Sequence, residues 1–170
     1  DKTTSREIMV PRVDIVAAEL GTPLDVLAEQ LVQSGHSRVP VYEGSLDHIQ
    51  GIAYARDILG FLSRNKGDPG SLTVRVVRPA LFIPESKTLE ELLNEFQEKQ
   101  VHIAIVIDEY GGVSGMVTIE DLLEEIVGEI NDEFEVGEPD IETVSNREFL
   151  MDARVQHQRS KAQTRCASAR

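Results

Sequence analysis

The sequence predicts an α/β fold (α+β in detail), made of two β-α-β-β-α repeats packed about a pseudo-twofold axis. Three observations predict it. Key positions recur 64 residues apart: Gly51 with Gly115, Asp57 with Asp121, and Arg38 with His102. Upstream of each set, apolar residues stand at helical spacing, Leu24, Leu27 and Leu31 in one copy and Leu89, Leu92 and Phe96 in the other. The 170-residue chain is 41% hydrophobic but only 5% aromatic, so its core is aliphatic and suits two small half-domains.

The elements follow in the same order in each copy. An extended piece is expected near residues 13–17, then a helix opened by Pro23 and carrying the first leucine stripe. A short β-rich run at 39–42 and a second at 49–53 lead into a helix at 55–62. The second copy has an extended piece at 81–83, a helix opened by Ser86-Lys87-Thr88, and strands at 103–107 and 113–117. Between those strands Asp108-Glu109-Tyr110-Gly111-Gly112 reads as a turn. A helix at 119–127 closes the copy. One copy alone exposes an apolar sheet face, and two bury these faces against each other. The boundaries expected are 1–67 and 68–132 for the repeats, 133–152 for a linker, and 153–170 for a tail.

Charge narrows the function. A net charge of −13 argues against a nucleic-acid surface but leaves room for one small phosphate compound at a local site. The single cysteine, Cys166, rules out a disulfide framework within the chain. No apolar run approaches the roughly 18–20 residues that span a bilayer, and no signal peptide is visible, so the chain reads as a soluble fragment. From 153 onward five basic residues and no acidic ones stand without apolar period, which reads as a disordered or foreign tail. From 119 to 142 eleven acidic residues occur with no basic one. They have no EF-hand spacing, and a solvated helix face explains them more simply than a metal site. The four histidines, His36, His48, His102 and His157, form no metal-spaced pair. No catalytic constellation appears, so neither an enzyme nor a protein metal site is expected.

The junction at Thr118–Asp121 carries the most chemistry. Thr118 ends a strand and Asp121 lies in the first turn of the next helix. Free N–H groups at a helix start attract phosphate, a threonine hydroxyl adds a further bond, and a first-turn carboxylate can accept both ribose hydroxyls. The plainer reading makes Thr118 an N-cap and Asp121 a partner of the helix dipole.

Gly115-Met116-Val117-Thr118-Ile119-Glu120-Asp121 resembles the strand–Gly-x-x-Thr-x-x-Asp–helix signature of the CBS repeat. Gly51-Ile52-Ala53-Tyr54-Ala55-Arg56-Asp57 is its first copy, with Tyr54 in place of the hydroxyl residue. Two such repeats form a Bateman module. Ile8-Met9-Val10-Pro11-Arg12, Asp14-Ile15-Val16-Ala17, the run from Gly35 to Gly44, and the run from His102 to Gly112 resemble the CorC/HlyC (hemolysin-like) magnesium and cobalt efflux family, itself similar to the CNNM transporters. The likeness covers roughly residues 6–132.

That resemblance implies an adenine nucleotide, ATP or AMP, in the cleft between the repeats, and a magnesium ion is expected on its phosphates rather than on the acidic run at 119–142. Val10 and Pro11 would line adenine, His36 would flank the base, and Ser37 and Arg38 would approach the base or phosphates. His102 would contact phosphate, while Thr118 and Asp121 would take phosphate and ribose. Tyr54 and Asp57 would form a second, weaker cleft. It also implies a homodimer paired through helices, a transmembrane domain elsewhere in the parent protein, a place on the cytoplasmic face of the inner or plasma membrane, and a CorC-type C-terminal domain that only begins at 133–152. A module that only dimerises or binds partners, with no ligand, is the alternative.

Overall fold

The structure, a computed structural model, describes residues 2–68, 70–72 and 75–136. Of the linker expected over 133–152 only residues 133–136 are described, as helix, and the rest of it and the tail, with His157 and Cys166, lie outside the described residues.

Helix α1 (Ser5–Ile8) is a single turn before the two-residue strand β1 (Val10–Pro11). Where an extended piece was expected at 13–17, the chain makes a 3-10 turn over Arg12–Asp14, and strand β2 (Ala18–Glu19) follows it. The reason is local. Residues 13 and 16 are exposed valines that no sheet claims, whereas Ala18 is buried and pairs with Val41.

Helices α2 (Leu24–Ser34) and α4 (Leu89–Lys99) each bury the predicted stripe, Leu24, Leu27 and Leu31 in one, Leu89, Leu92 and Phe96 in the other. Thr88 starts α4 with a capping box: its hydroxyl accepts the Glu91 N–H at 3.3 Å, and the Glu91 carboxylate accepts the Thr88 N–H at 3.1 Å. Gly35 ends α2 in a left-handed conformation, φ 74°, its N–H donating to the Leu31 carbonyl.

Strands β3 (Arg38–Glu43) and β4 (Ser45–Tyr54) form a hairpin about Gly44 and lead into helix α3 (Ala55–Arg64). Strand β5 (Leu81–Pro84) runs parallel to β6 (Ile103–Ile107), which pairs antiparallel with β7 (Val113–Thr118). Helix α5 (Ile119–Val136) follows directly and runs well past the expected end at 127.

The sheets are ordered β2-β3-β4 and β1-β7-β6-β5. The opening strand of the chain therefore belongs to the sheet of the second repeat, with Val10 opposite Met116 and Pro11 opposite Gly115. The reciprocal crossing exists as well: Ile52 and Arg78 exchange both backbone hydrogen bonds at 2.8 Å. Each repeat keeps its own helix-on-sheet core, one around Leu24, Leu27 and Ile58, the other around Leu92, Phe96 and Leu122. A third cluster, Ile52, Ile103, Ile105, Val113 and Met116, joins residues of the two sheets. Full burial of one such side chain contributes about 1.5–3 kcal/mol, so this shared layer is what holds the repeats as a pair.

Candidate functional site

The signature glycines explain the crossings. A Cβ at Gly115 would stand 2.5 Å from the Val10 carbonyl oxygen and 2.6 Å from Met9 Sδ. A Cβ at Gly51 would stand 2.6 Å from the Arg78 carbonyl oxygen. Only a residue without a side chain lets the opening segment lie so close. Val10-Pro11 and Arg78-Pro79 thus occupy matching places in the two clefts.

In the cleft beside α5, Thr118 ends β7 and its Oγ1 accepts the Asp121 N–H at 3.3 Å. Thr118 is therefore the N-cap, and Asp121 sits in the first helical turn, half-buried. Val10 and Pro11 lie against β7 a few residues upstream. From the first repeat, Arg38 pairs with Glu120, the neighbour of Asp121. Arg38 is nearly enclosed, its side chain 12% exposed against 26% for Glu120, and its Nε is buried with no hydrogen-bond partner among the described residues. A buried guanidinium N–H without a partner is costly and marks a place where an acceptor is missing.

His102 stands at the start of β6, where its carbonyl accepts the Ile119 N–H at 2.9 Å. Ser37 makes the equivalent bond to the Ala55 N–H, also at 2.9 Å. Partial desolvation, then the positive charges of Arg38 and Arg56, hold the His102 imidazole below its ordinary pKa, with Glu120 opposing. Arg38, His102 and Glu120 thus interact at the helix start that also carries Thr118 and Asp121. Ser37 is exposed, with its hydroxyl 3.5 Å from Arg38 Nη1. His36 is exposed in the turn before β3, and no polar contact ties it to the others among the described residues.

The second cleft differs. Tyr54 occupies the N-cap position of α3 but makes no side-chain cap bond. Asp57, the counterpart of Asp121, accepts two hydrogen bonds from Arg78, Nε to Oδ2 at 2.8 Å and Nη2 to Oδ1 at 2.9 Å. The same guanidinium lies 4.5 Å from the Tyr54 ring centroid. The hydrogen bonds and charge of Arg78 hold the Asp57 carboxyl below the usual carboxylate range.

Sequence reasoning missed Glu120, Arg56 and Arg78 as members of these clefts. Only Arg78 left a signal, because Arg78-Pro79 echoes Val10-Pro11. Among the described residues no group of three or more His, Cys, Asp and Glu side chains is placed to hold a metal ion. No described helix is long and apolar enough to cross a membrane.

The family model described as CBS domain matches residues 6–64 and 73–128. The chain is 46% identical over 149 residues to the magnesium and cobalt efflux protein CorC of Vibrio cholerae, covering 87% of this chain and 50% of that protein. It spans about half the length of the first curated relatives it matches. The CBS domain of a bacterial CNNM/CorC family Mg2+ transporter, solved in complex with ATP, superposes with a TM-score of 0.69 at 44% identity, covering 74% of this chain and 88% of that one. A CBS-domain pair with bound AMP from Klebsiella pneumoniae gives a TM-score of 0.66 at 34% identity, covering 75% of this chain and all of that one.

Proposed function

Since the chain belongs to the CBS domain family, as a tandem CBS pair of the CNNM/CorC branch, we propose that it is a regulatory module that binds an adenine nucleotide between its repeats. One observation carries the reading: Arg38, from the first repeat, is held nearly enclosed at the start of α5, with a buried N–H left unpaired beside the Thr118–Asp121 junction. A phosphate arriving there supplies the missing acceptor and displaces Glu120 from Arg38. The first-turn carboxylate of Asp121 takes the ribose hydroxyls, and the Val10-Pro11 strand offers adenine an apolar wall. His102 adds a donor to phosphate once protonated. The ATP- and AMP-bound relatives support this choice of ligand class.

Magnesium belongs to the ligand in this reading. It neutralises part of the triphosphate charge on an acidic chain, so it favours ATP more than AMP. The module acts on a transmembrane ion-transport domain of the parent protein from the cytoplasmic face and pairs with a second copy through its helices. It binds its nucleotide without turning it over. Calorimetric titration with ATP, ADP and AMP, with and without magnesium, tests the nucleotide reading. Saturable binding is the expected result. Light scattering at tens of micromolar tests the pairing, and a strictly monomeric mass contradicts it.

A second reading, an interaction module without ligand, draws support from the pairings already made: Thr118 caps its own helix and Arg38 already has Glu120. The absence of binding for all three nucleotides would select it.

A further inference from the structure

The cleft around Asp57 is chemically unlike its counterpart. A cavity of about 450 Å³ opens there, lined by Arg56, Arg64, Arg75 and Arg78 with Asp57, over an apolar floor that includes Phe61. Four arginines and one carboxylate line it, on a chain whose net charge is −13. Asp57 and Arg78 satisfy each other. Arg56 adds its charge to that of Arg78 on Asp57 and stands 6.0 Å from the Tyr54 ring centroid, and among the described residues neither Arg64 nor Arg75 forms an ion pair with a carboxylate.

The arrangement is built rather than scattered. Arg56, Gly60 and Arg64 are spaced by four, so they share one face of α3. Gly60 puts no side chain between them, and Arg64 folds back so that its Nη1 lies 3.5 Å from the point where a Cβ would stand. Arg75 lines the same cavity from the segment before β5, three residues before Arg78. Like charges converging over an apolar floor repel one another until an anion enters, and the low-dielectric wall strengthens its attraction.

The same cleft is closed to a nucleoside. The carboxylate that would hold ribose is occupied by both arms of Arg78, and Arg78 also covers Tyr54. We propose that this cleft is a binding site for a compact polyphosphate anion, held by Arg56, Arg64 and Arg75 through charge-assisted hydrogen bonds, and that it takes no nucleoside. Three guanidinium groups call for more than one phosphate group, since each can engage its own pair of oxygens.

Inorganic tripolyphosphate, titrated into the full chain without magnesium and followed by calorimetry and thermal unfolding, tests the proposal. The unmodified chain and Asp121→Ala should bind it alike. The double variant Arg64→Ala/Arg75→Ala should lose about tenfold or more in affinity, because each charge-assisted contact is worth more than a neutral one. Both arginines are exposed, so the variant should keep its fold, and the thermal midpoint without ligand checks this. Arg75→Gln alone should give a smaller loss. Adenosine should produce no saturation at this cleft in an Asp121→Ala background. Equal tripolyphosphate affinity for the unmodified chain and the double variant overturns the proposal. So does the absence of saturable binding, and so does a loss confined to Asp121→Ala. The nucleotide reading is tested by nucleotide titration at the cleft of Arg38 and Asp121, where Arg64 and Arg75 have no part, so it is unaffected by these outcomes.

Discussion

Arg78 holds Asp57 with two hydrogen bonds of 2.8 and 2.9 Å, while Asp121, at the matching place in the other repeat, has no such clamp among the described residues. The difference arises because Arg78 occupies the position that Val10 occupies across the pseudo-twofold axis. Arg78→Ala should release Asp57 and uncover Tyr54, leaving three arginines for phosphate. A second, weaker ATP-binding event should then appear in calorimetry, absent from the unmodified chain. An unchanged single-site isotherm would show that Arg78 is not what closes the cleft.

Asp121→Ala should weaken adenine-nucleotide binding by about 1–3 kcal/mol, the cost of lost hydrogen bonds to a charged group. Thr118 needs a finer test because it caps α5. Thr118→Ile should cost about 1 kcal/mol of stability as well as ligand. Thr118→Ser keeps the hydroxyl and should restore both. Equal ATP affinity for the unmodified chain and Asp121→Ala would remove Asp121 from the site.

His102 is held below its ordinary pKa by partial desolvation and by Arg38 and Arg56, so it is neutral near pH 7. A bound phosphate adds negative charge beside it and raises that pKa. ATP affinity should therefore increase as the pH falls from about 7 toward 6, with proton uptake on binding. Titrations in buffers of different ionisation enthalpy measure the uptake. His102→Ala should abolish it.

Asp47, Asp57 and Glu95 all lie below the ordinary carboxylate range, chiefly through hydrogen bonds from Arg12, Arg78 and Lys87 respectively. A carboxyl with a lowered folded-state pKa stabilises the fold while ionised. That contribution is complete above the unfolded value near 4 and is lost as pH falls through the folded value. The thermal midpoint should hold between about pH 7 and 5 and drop below about 4. Lys87→Ala should lower the midpoint at neutral pH and flatten the acid limb. A midpoint independent of pH down to about 3 contradicts this account.

Two glycines should respond in opposite directions. Gly115→Ala drives a methyl group into the Val10 carbonyl and should destabilise the fold by about 1–3 kcal/mol. Gly128 lies within α5 with nothing within 4 Å of an added Cβ, so Gly128→Ala should stabilise by about 0.5–1 kcal/mol. Thermal unfolding of the two variants reads both signs.

Much of this fold was legible because its signals are local. The leucine stripe of α2 and the Thr88 capping box act within a few residues of themselves, and α2 and α4 form where their periods predict. Helix α5 runs on past the expected end at Val127, because Ile126 and Ile130 continue the apolar stripe across Gly128. The 3-10 turn at Arg12–Asp14 and the brief strand before it were not legible, since two residues have no period and their partner lies far along the chain. In the candidate site, Thr118 and Asp121 announced themselves by spacing. The pairing of Arg38 with Glu120, and the clamp on Asp57, depend on the packing of one repeat against the other, which no local pattern records.

The exchange of opening strands also sets how the chain can fold. Val10 meets Met116 only after about a hundred intervening residues have been made, and such distant pairings form late because closing a long loop costs entropy before any contact rewards it. The first helix and hairpin can assemble early, yet the sheet of the second repeat keeps a bare edge along β7 until β1 returns to cover it. During synthesis that edge is an open template for strand pairing with a neighbouring copy. The two repeats are thus topologically interlaced, and a cut between them would leave one fragment carrying a strand that completes the other.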